Sequence, residues 1–458
     1  MEALIINAKK VTWVSEMTGK LHKLVNQAST NYYLLQLKRD QWKSTQELKN
    51  IQLSKLKAIL KYAYDFIPYY HRLFSAAKIK PEQIRNYEDM QRIPLTSKQD
   101  VQKNFSEMVP RNFNTSKMPS AVTSGSTGIP LKFIRDASST RFGYLHSVYN
   151  YIYFECGVRP KDNFVTVWGR DAKSIQWHTK YARLWGGISE TVVPLFPPAK
   201  LIDVLQFIKP EVMNTFPSVL RTLSDYDVSG INPSIVFTQG ELVTQHCRDI
   251  VKKMFGLALF ETYGSVEFGN LAFECNEHCG LHVITNSALV EFISESGEVV
   301  SPGEQGEIVV TGFLNYAMPL IRYRIGDLGI QTDEKCNCGR SWPLIKNIQG
   351  RINDYFVLPS GRKISYLYLQ RGIFHKTLRE NVFAISQYQI IQERKDSIIL
   401  KIVKGREFHP EIMERVRKSL EREFTKLGEN LEITTQVVDE IPMGRTGKRR
   451  ILISKLIQ

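Results

Sequence analysis

Thr123-Ser124-Gly125-Ser126-Thr127-Gly128, running on as Ile129-Pro130-Leu131-Lys132, is the stretch from which this chain is read outward. A run of hydroxyl residues and glycines leaves little side chain in the way, so backbone N–H groups can close on an anion while the hydroxyls donate further hydrogen bonds. A triphosphate needs that kind of surface. A solvated Ser/Gly loop has the same composition, and the residues downstream decide between the two.

A chain of 458 residues exceeds a single simple core and predicts two or three domains, and 43% hydrophobic with 23% charged residues is ordinary for a globular protein. Apolar runs fall short of the roughly 18 to 20 residues that span a bilayer, and the amino terminus lacks a secretory signal pattern. Six cysteines argue against a disulfide framework and for a reducing compartment, so the expected location is cytoplasmic. The formal charge of +15 is spread from Lys9 to Lys455 without a nucleic-acid-reading signature. It reads as a basic surface that also suits anionic substrates; no nucleic acid and no transmembrane segment are expected.

Residues 1–49 read as basic and aromatic helices. Leu53, Leu56, Leu60 and Tyr64 continue at helical spacing until Pro68 stops the helix. Thr96 is the expected N-cap of a further helix. Beyond the glycine loop, Phe142–Phe154 reads as helix and Asn163–Gly169 as strand. Val212–Pro217, Ser234–Thr238 and Leu257–Phe260 are strand-like, with helical stretches between them. That alternation predicts an α/β architecture with substantial parallel sheet, and ligand groups where loops leave the strands, at Thr238-Gln239-Gly240-Glu241 and Glu261-Thr262-Tyr263-Gly264.

Further marks follow. Glu261 to Glu267 offers an aromatic ring for a purine and a carboxylate for Mg²⁺. Asp327, after Gly326 at a strand end, is suited to a ribose diol, though a surface turn would also use it. Lys448, after Gly444 and Gly447, could enter a phosphate site on a mobile loop or belong to a basic tail. Glu274-Cys275-Asn276-Glu277-His278-Cys279-Gly280-Leu281-His282 and Cys336-Asn337-Cys338-Gly339 could converge as N/S ligands for a metal. Cys156 and Cys247 read as core cysteines, and His178 and His246 as ordinary polar residues.

In this order and at these separations, the blocks from about Gln41 to Ile453 resemble the adenylate-forming superfamily. They are most similar to its phenylacetate-CoA ligase-like and CapK-type branch, through Ile67-Pro68-Tyr69-Tyr70 and Asn315-Tyr316-Ala317-Met318-Pro319-Leu320-Ile321-Arg322-Tyr323-Arg324. The resemblance implies a large multi-layer domain over 41–350 after a helical extension at 1–40, a hinge at 351–354, and a small mobile α+β domain at 355–458. It implies that Thr123, Ser124, Gly125, Ser126, Thr127 and Gly128 cover the β- and γ-phosphates of ATP and that Gly240, Glu241, Thr262 and Tyr263 line adenine. Glu267 would hold Mg²⁺, Asp327 the ribose, and Arg351 the nucleotide near the hinge, with Asp354 at the pivot and Lys448 as the adenylation lysine.

The implied reaction is activation of a small carboxylic acid to an acyl-adenylate, followed by transfer to coenzyme A. The alternative acceptor is an amine or hydroxyl of a sugar precursor in polysaccharide biosynthesis. A structural Zn²⁺ is expected on Cys275, His282, Cys336 and Cys338, with His278 and Cys279 as competing ligands, and a homodimer is an open option. Two departures from the family pattern stand out: Leu131 sits between the loop proline and Lys132, and Tyr355-Phe356-Val357 follows the pivot.

Overall fold

The computed structural model describes residues 16–111, 118–122, 131–136, 138–168, 176–178, 188, 190–351, 355–365, 383–442 and 450–456. Helix α1 (Glu16–Asp40) leads into α2 (Thr45–Phe66), whose start is fixed by a capping box. Ser44 Oγ accepts from the Glu47 N–H and the Glu47 carboxylate accepts from the Ser44 N–H. Leu48, Gln52, Leu56, Ile59, Leu60 and Ala63 form the buried stripe of α2. Pro68 ends it and, at the first position of α3 (Pro68–Ala76), begins the next helix. Thr96 is not the cap that the sequence suggests. Its N–H and C=O are taken by Arg322 O and Arg324 N in a β-bridge, and Ser97 caps the short α4 (Lys98–Lys103) instead.

The hairpin β1 (Ser120–Val122) and β2 (Lys132–Ile134) precedes α5 (Ser139–Glu155). Then come the strands of a mixed sheet. β3 (Phe164–Val167), β5 (Glu190–Val193), β6 (Val212–Thr215), β7 (Ile235–Gln239) and the first half of β8 (Leu259–Ser265) are parallel, with β4 (Gln176–His178) antiparallel on the outer edge. These parallel strands are buried on both faces. Phe164, Val212, Phe237 and Phe260 pack with Tyr151, Ile152 and Tyr153 of α5 and Leu37 of α1. On the opposite face, Val165, Val167, Met213 and Val236 meet α6 (Pro198–Ile208), α7 (Pro217–Leu223) and α8 (Gln245–Phe255).

From β8 onward pairing is antiparallel. The sheet continues through β9 (Gly269–Glu274), β10 (Leu281–Val283), β14 (Leu344–Arg351), β13 (Tyr323–Thr332), β12 (Gln305–Gly312) and β11 (Ala288–Ile293). Two expected loop exits are therefore strand: Glu261–Gly264 lies inside β8, and Asp327 lies within β13, paired with Arg351. The carboxyl-terminal part has the hairpin β15 (Tyr355–Val357) and β16 (Lys363–Ser365) and a separate sheet. There β17 (Ile385–Arg394), β18 (Ser397–Lys404), β19 (Glu432–Val437) and β20 (Leu452–Ser454) are packed by α9 (Glu411–Lys426). Ile412, Val416, Leu420 and Phe424 recur every fourth residue and meet Ile390, Leu400, Ile402 and Phe356 in a core of their own. The α/β reading stands, with a large sheet unit and a smaller one. Among the described residues no helix is long and apolar enough to cross a membrane, and the six cysteines carry free thiols.

The early helices are tied to β13 by buried polar contacts. Tyr70 Oη accepts from the Ile321 N–H at 2.9 Å, and Arg322, buried and at φ +44°, pairs with Glu291 at 3.1 Å. Arg322 Nη1 also donates to Ile93 O at 2.7 Å. Tyr70→Phe leaves a buried N–H without its acceptor. It is expected to lower unfolding free energy by about 1–3 kcal/mol, read as a lower urea midpoint at unchanged slope.

Candidate functional site

Residues two apart on a strand share a face, so Glu261 and Tyr263 of β8 look the same way and Thr262 looks the other. The Tyr263 hydroxyl donates to Asp327 Oδ2 at 2.9 Å, and Arg351 Nε lies 3.3 Å from Asp327 Oδ1. Burial, with the Asp327 charge beside it, raises the Tyr263 phenol well above its ordinary value and keeps it a donor. Glu267, just beyond β8, accepts from the Tyr323 hydroxyl and lies in the field of Lys98 and Arg135. One neighbourhood therefore holds two acidic groups and three cations: Asp327 and Glu267 beside Arg351, Lys98 and Arg135. Burial lowers the pKa values of Lys98 and Arg135, while Glu267 opposes the shift.

The hydroxyl-and-glycine run Thr123–Gly128 lies outside the described residues, but its two flanks are placed. β1 and β2 pair antiparallel up to Val122↔Lys132. Arg135, just past β2, donates through Nη2 to Val266 O at 3.2 Å, which anchors the hairpin beside Glu267. Leu131 is buried in the core of the early helices, while Lys132 is exposed, so the interposed leucine serves packing. Lys448 and Asp354 also lie outside the described residues. Gly240 follows β7 at φ +76°. The Glu241 carboxylate accepts from the Ser218 N–H at 2.8 Å and hydroxyl at 2.9 Å, at the start of α7. Thr262 is buried and its hydroxyl donates to Thr238 O at 3.4 Å.

Beside Glu261 runs a cleft of about 760 Å³ between α8, β8 and β14, lined among others by Thr244, His246, Arg248, Glu261, His278 and Gln349. Arg248 reaches Glu274 at 3.1 Å and Glu261 at 3.2 Å, and the Glu261 N–H donates to Glu274 Oε2 at 3.0 Å. Burial pushes the Glu261 carboxyl up to about 8; Arg248 opposes this and Glu274 adds to it. The raised Glu261 carboxyl thus faces the cavity while accepting from Arg248. From sequence, Glu261 falls within an expected ligand-binding stretch without a role of its own, and Lys98 and Arg135 carry no mark. Glu261 carried a signal, being two residues before Tyr263 in a strand. Lys98 had none, since its neighbours in the site are remote in sequence.

A second cluster sits where β9 turns into β10. Cys275 Sγ is 3.5 Å from Cys336 Sγ and Cys338 Sγ is 3.3 Å from His282 Nε2, with all four ligand atoms within 4.8 Å of one another. Sulfurs around a tetrahedral ion at about 2.3 Å stand roughly 3.7 Å apart, so the spacing fits. Burial, then Arg340, pulls the His282 imidazole down to about 4, leaving it neutral as a ligand must be. The competing pair is directed elsewhere: His278 Nδ1 meets Glu274 Oε1 at 3.2 Å, and Cys279 is exposed with its thiol on Glu277 O.

Residues 358–455 match the family model of the CapK C-terminal domain. The chain is 27% identical to the phenylacetate-coenzyme A ligase of Thermus thermophilus over 89% of this chain and 96% of that one. It is 23% identical to Protein CapK of Staphylococcus aureus over 96% and 95% of the two chains. Among solved structures, 2-hydroxyisobutyryl-CoA ligase in the postadenylation state superposes with a TM-score of 0.75 at 20% identity, covering 91% of each chain. The fold is that of the adenylate-forming CoA ligases, and the sequence resemblance to the phenylacetate-CoA ligase-like and CapK-type branch is borne out.

Because Glu261 holds its proton to about pH 8 when folded and loses it near 4.5 when unfolded, its stabilising contribution is complete below about 4.5 and is lost as pH rises through 8. Glu261→Gln is therefore expected to gain on the parent protein across that window, by roughly 1–3 kcal/mol at its upper end. Urea midpoints measured at pH 5 and pH 8 check this, and a pH-independent difference contradicts it.

Proposed function

We propose that this chain, which has the adenylate-forming fold and phenylacetate-CoA ligases among its relatives, activates a small carboxylic acid with ATP and transfers the acyl group to coenzyme A. The observation that carries the reading is the joint hold on Asp327 by Tyr263 and Arg351, beside Glu267 and a hairpin that brackets a hydroxyl-and-glycine run. Asp327 would accept from the ribose diol. The face of Glu261 and Tyr263 would receive the base. Thr123–Gly128 would close over the terminal phosphates from the hairpin, and Gly240 would let the backbone approach the base. Glu241 and Thr262 act on that pocket through the backbone they fix, since their side-chain oxygens bond to Ser218 and Thr238.

A carboxylate oxygen attacks the α-phosphorus of ATP; the new O–P bond forms as the bond to pyrophosphate breaks. Two anions must be brought together, so cations decide the rate. Lys98, Arg135 and Arg351 lie on the large unit, and Lys448 would come from the small one across the hinge at 351–354. A preorganised cation of this kind is worth several kcal/mol when water is excluded. Mg²⁺ carried in with ATP would neutralise charge, with Glu267 holding it. The thiol then attacks the acyl carbon, its proton goes to solvent, and AMP leaves. The small unit would turn between the steps.

A second reading, with an amine or sugar hydroxyl as acceptor, is favoured by the match of the small unit to the CapK C-terminal domain. A panel of carboxylic acids scored by pyrophosphate release, with and without coenzyme A, separates the two. If no acid supports exchange, both fail. Lys448→Ala and Asp327→Ala are expected to slow acid-dependent pyrophosphate exchange by about 100-fold or more. Unchanged exchange in both variants contradicts the assignment.

We further propose that Cys275, His282, Cys336 and Cys338 hold a structural Zn²⁺: four protein ligands leave no open position for chemistry. The ion would clasp the β9–β10 turn to the chain between β13 and β14, and free thiols on these ligands agree with a cytoplasmic setting. Cys336→Ser is expected to reduce bound zinc to a small fraction of one equivalent by elemental analysis and to lower Tm, with pyrophosphate exchange at low temperature retained.

A further inference from the structure

Helix α1 carries apolar side chains on two faces, and among the described residues only one of them is covered. Leu37 and Tyr33 turn inward to the core beside α5, with the Tyr33 and Tyr144 rings 5.1 Å apart. On the other side Val25, Ala28, Tyr32 and Leu35, spaced three, four and three residues apart, share one line along the helix. Val25, Tyr32 and Leu35 are 47%, 54% and 69% exposed, and Trp42, in the turn after α1, prolongs the line at 55%. Apolar side chains scattered over a surface are ordinary; four in a row spanning roughly 25 Å are not. Trp42 is also held in place. The Arg340 guanidinium lies 5.5 Å from its ring and is itself fixed by Gln41 and Glu155.

Charge decides what covers this line. Between Met17 and Lys43 the chain has five cations, Lys20, Lys23, Lys38, Arg39 and Lys43, and one acid, the buried Asp40. Two copies meeting through the line would bring these cations onto each other. Four side chains also fall short of the roughly 800 Å² that each partner of a stable pair buries. An anionic lipid surface answers both features: the cations meet headgroups, and the aromatic and aliphatic tips enter the interfacial layer, where Trp and Tyr concentrate. The residues before Glu16, outside the described residues, have the same composition: Ile5, Ile6, Trp13 and Val14 with Lys9 and Lys10, against one acid, Glu2. We propose that the exposed face of α1, with Trp42, docks this protein on an anionic membrane surface, lying in the headgroup region without crossing it. The groups around Asp327 and Glu267 stand on other elements, so the docking is independent of the acid-activation reading.

Sedimentation of the full-length protein with vesicles tests this, one set made of phosphatidylglycerol and phosphatidylcholine in equal parts and the other of phosphatidylcholine alone. The protein is expected to partition onto the anionic set about tenfold more strongly or better, with the excess lost at high salt. Tyr32→Ser combined with Leu35→Ser is expected to lower anionic partition about tenfold. Lys38→Gln combined with Arg39→Gln is expected to lower it by a similar factor. All four side chains are exposed, so urea midpoints should stay at that of the parent; Leu35→Ser alone, at the most exposed position of the line, keeps the test decisive if either pair folds poorly. Absence of partition onto either set overturns the proposal. So does loss with the charge pair but not with the apolar pair, which marks a diffuse basic surface. A dimer in light scattering that Leu35→Ser converts to monomer overturns it as well, since the line is then a subunit contact.

Discussion

β8 is held along one edge by parallel pairing to β7 and along the other by antiparallel pairing to β9, and the change of partner falls within its own length. Leu259 to Thr262 belong to the parallel layer; Thr262 to Ser265 lead the antiparallel one. At the crossover the register shifts between Tyr263 and Gly264, and a Cβ on Gly264 would stand 2.2 Å from Gly269 O. Only glycine permits that approach. The bend lies directly beside Tyr263, whose hydroxyl reaches Asp327 on β13. Displacing β8 would move Tyr263 and the adjoining Glu267 together, away from Asp327 on β13.

Much of this was legible in the sequence because it rests on local chemistry. The parallel strands announced themselves as unbroken apolar runs between helices, since both of their faces are covered. The Cys/His cluster was legible from cysteine and histidine spacing, and Cys275 and His282, at the two ends of one turn, converge with Cys336 and Cys338 while His278 and Cys279 turn elsewhere. Other features were set by tertiary structure. Thr96 looks like a cap but pairs with Arg322 and Arg324, partners over two hundred residues away that no local pattern reveals. Glu261–Gly264 and Asp327 looked like exits because glycine and acidic residues usually end strands, and here a long antiparallel ladder carries the chain through both.

Charge placement separates two kinds of acidic group. Asp327 and Glu267 each have hydroxyl donors and nearby cations and suit anionic roles. Glu261 lies in a desolvated wall and shares one arginine with Glu274, so burial first, and Glu274 after it, raises its carboxyl. The two departures from the family pattern also have packing causes. Leu131 fills the core beneath the early helices, and Phe356 fills the core of the small unit.

The ladder between β1 and β2 has a thermodynamic corollary. Val122 and Lys132 are held opposite one another, so both ends of the segment between them are fixed in place. For a segment whose ends are already fixed, the conformational entropy lost on closing over a ligand is confined to the segment itself. Under the proposed phosphate-binding role of Thr123–Gly128, a substitution that unzips β1 from β2 would weaken anion capture while leaving that run itself unchanged.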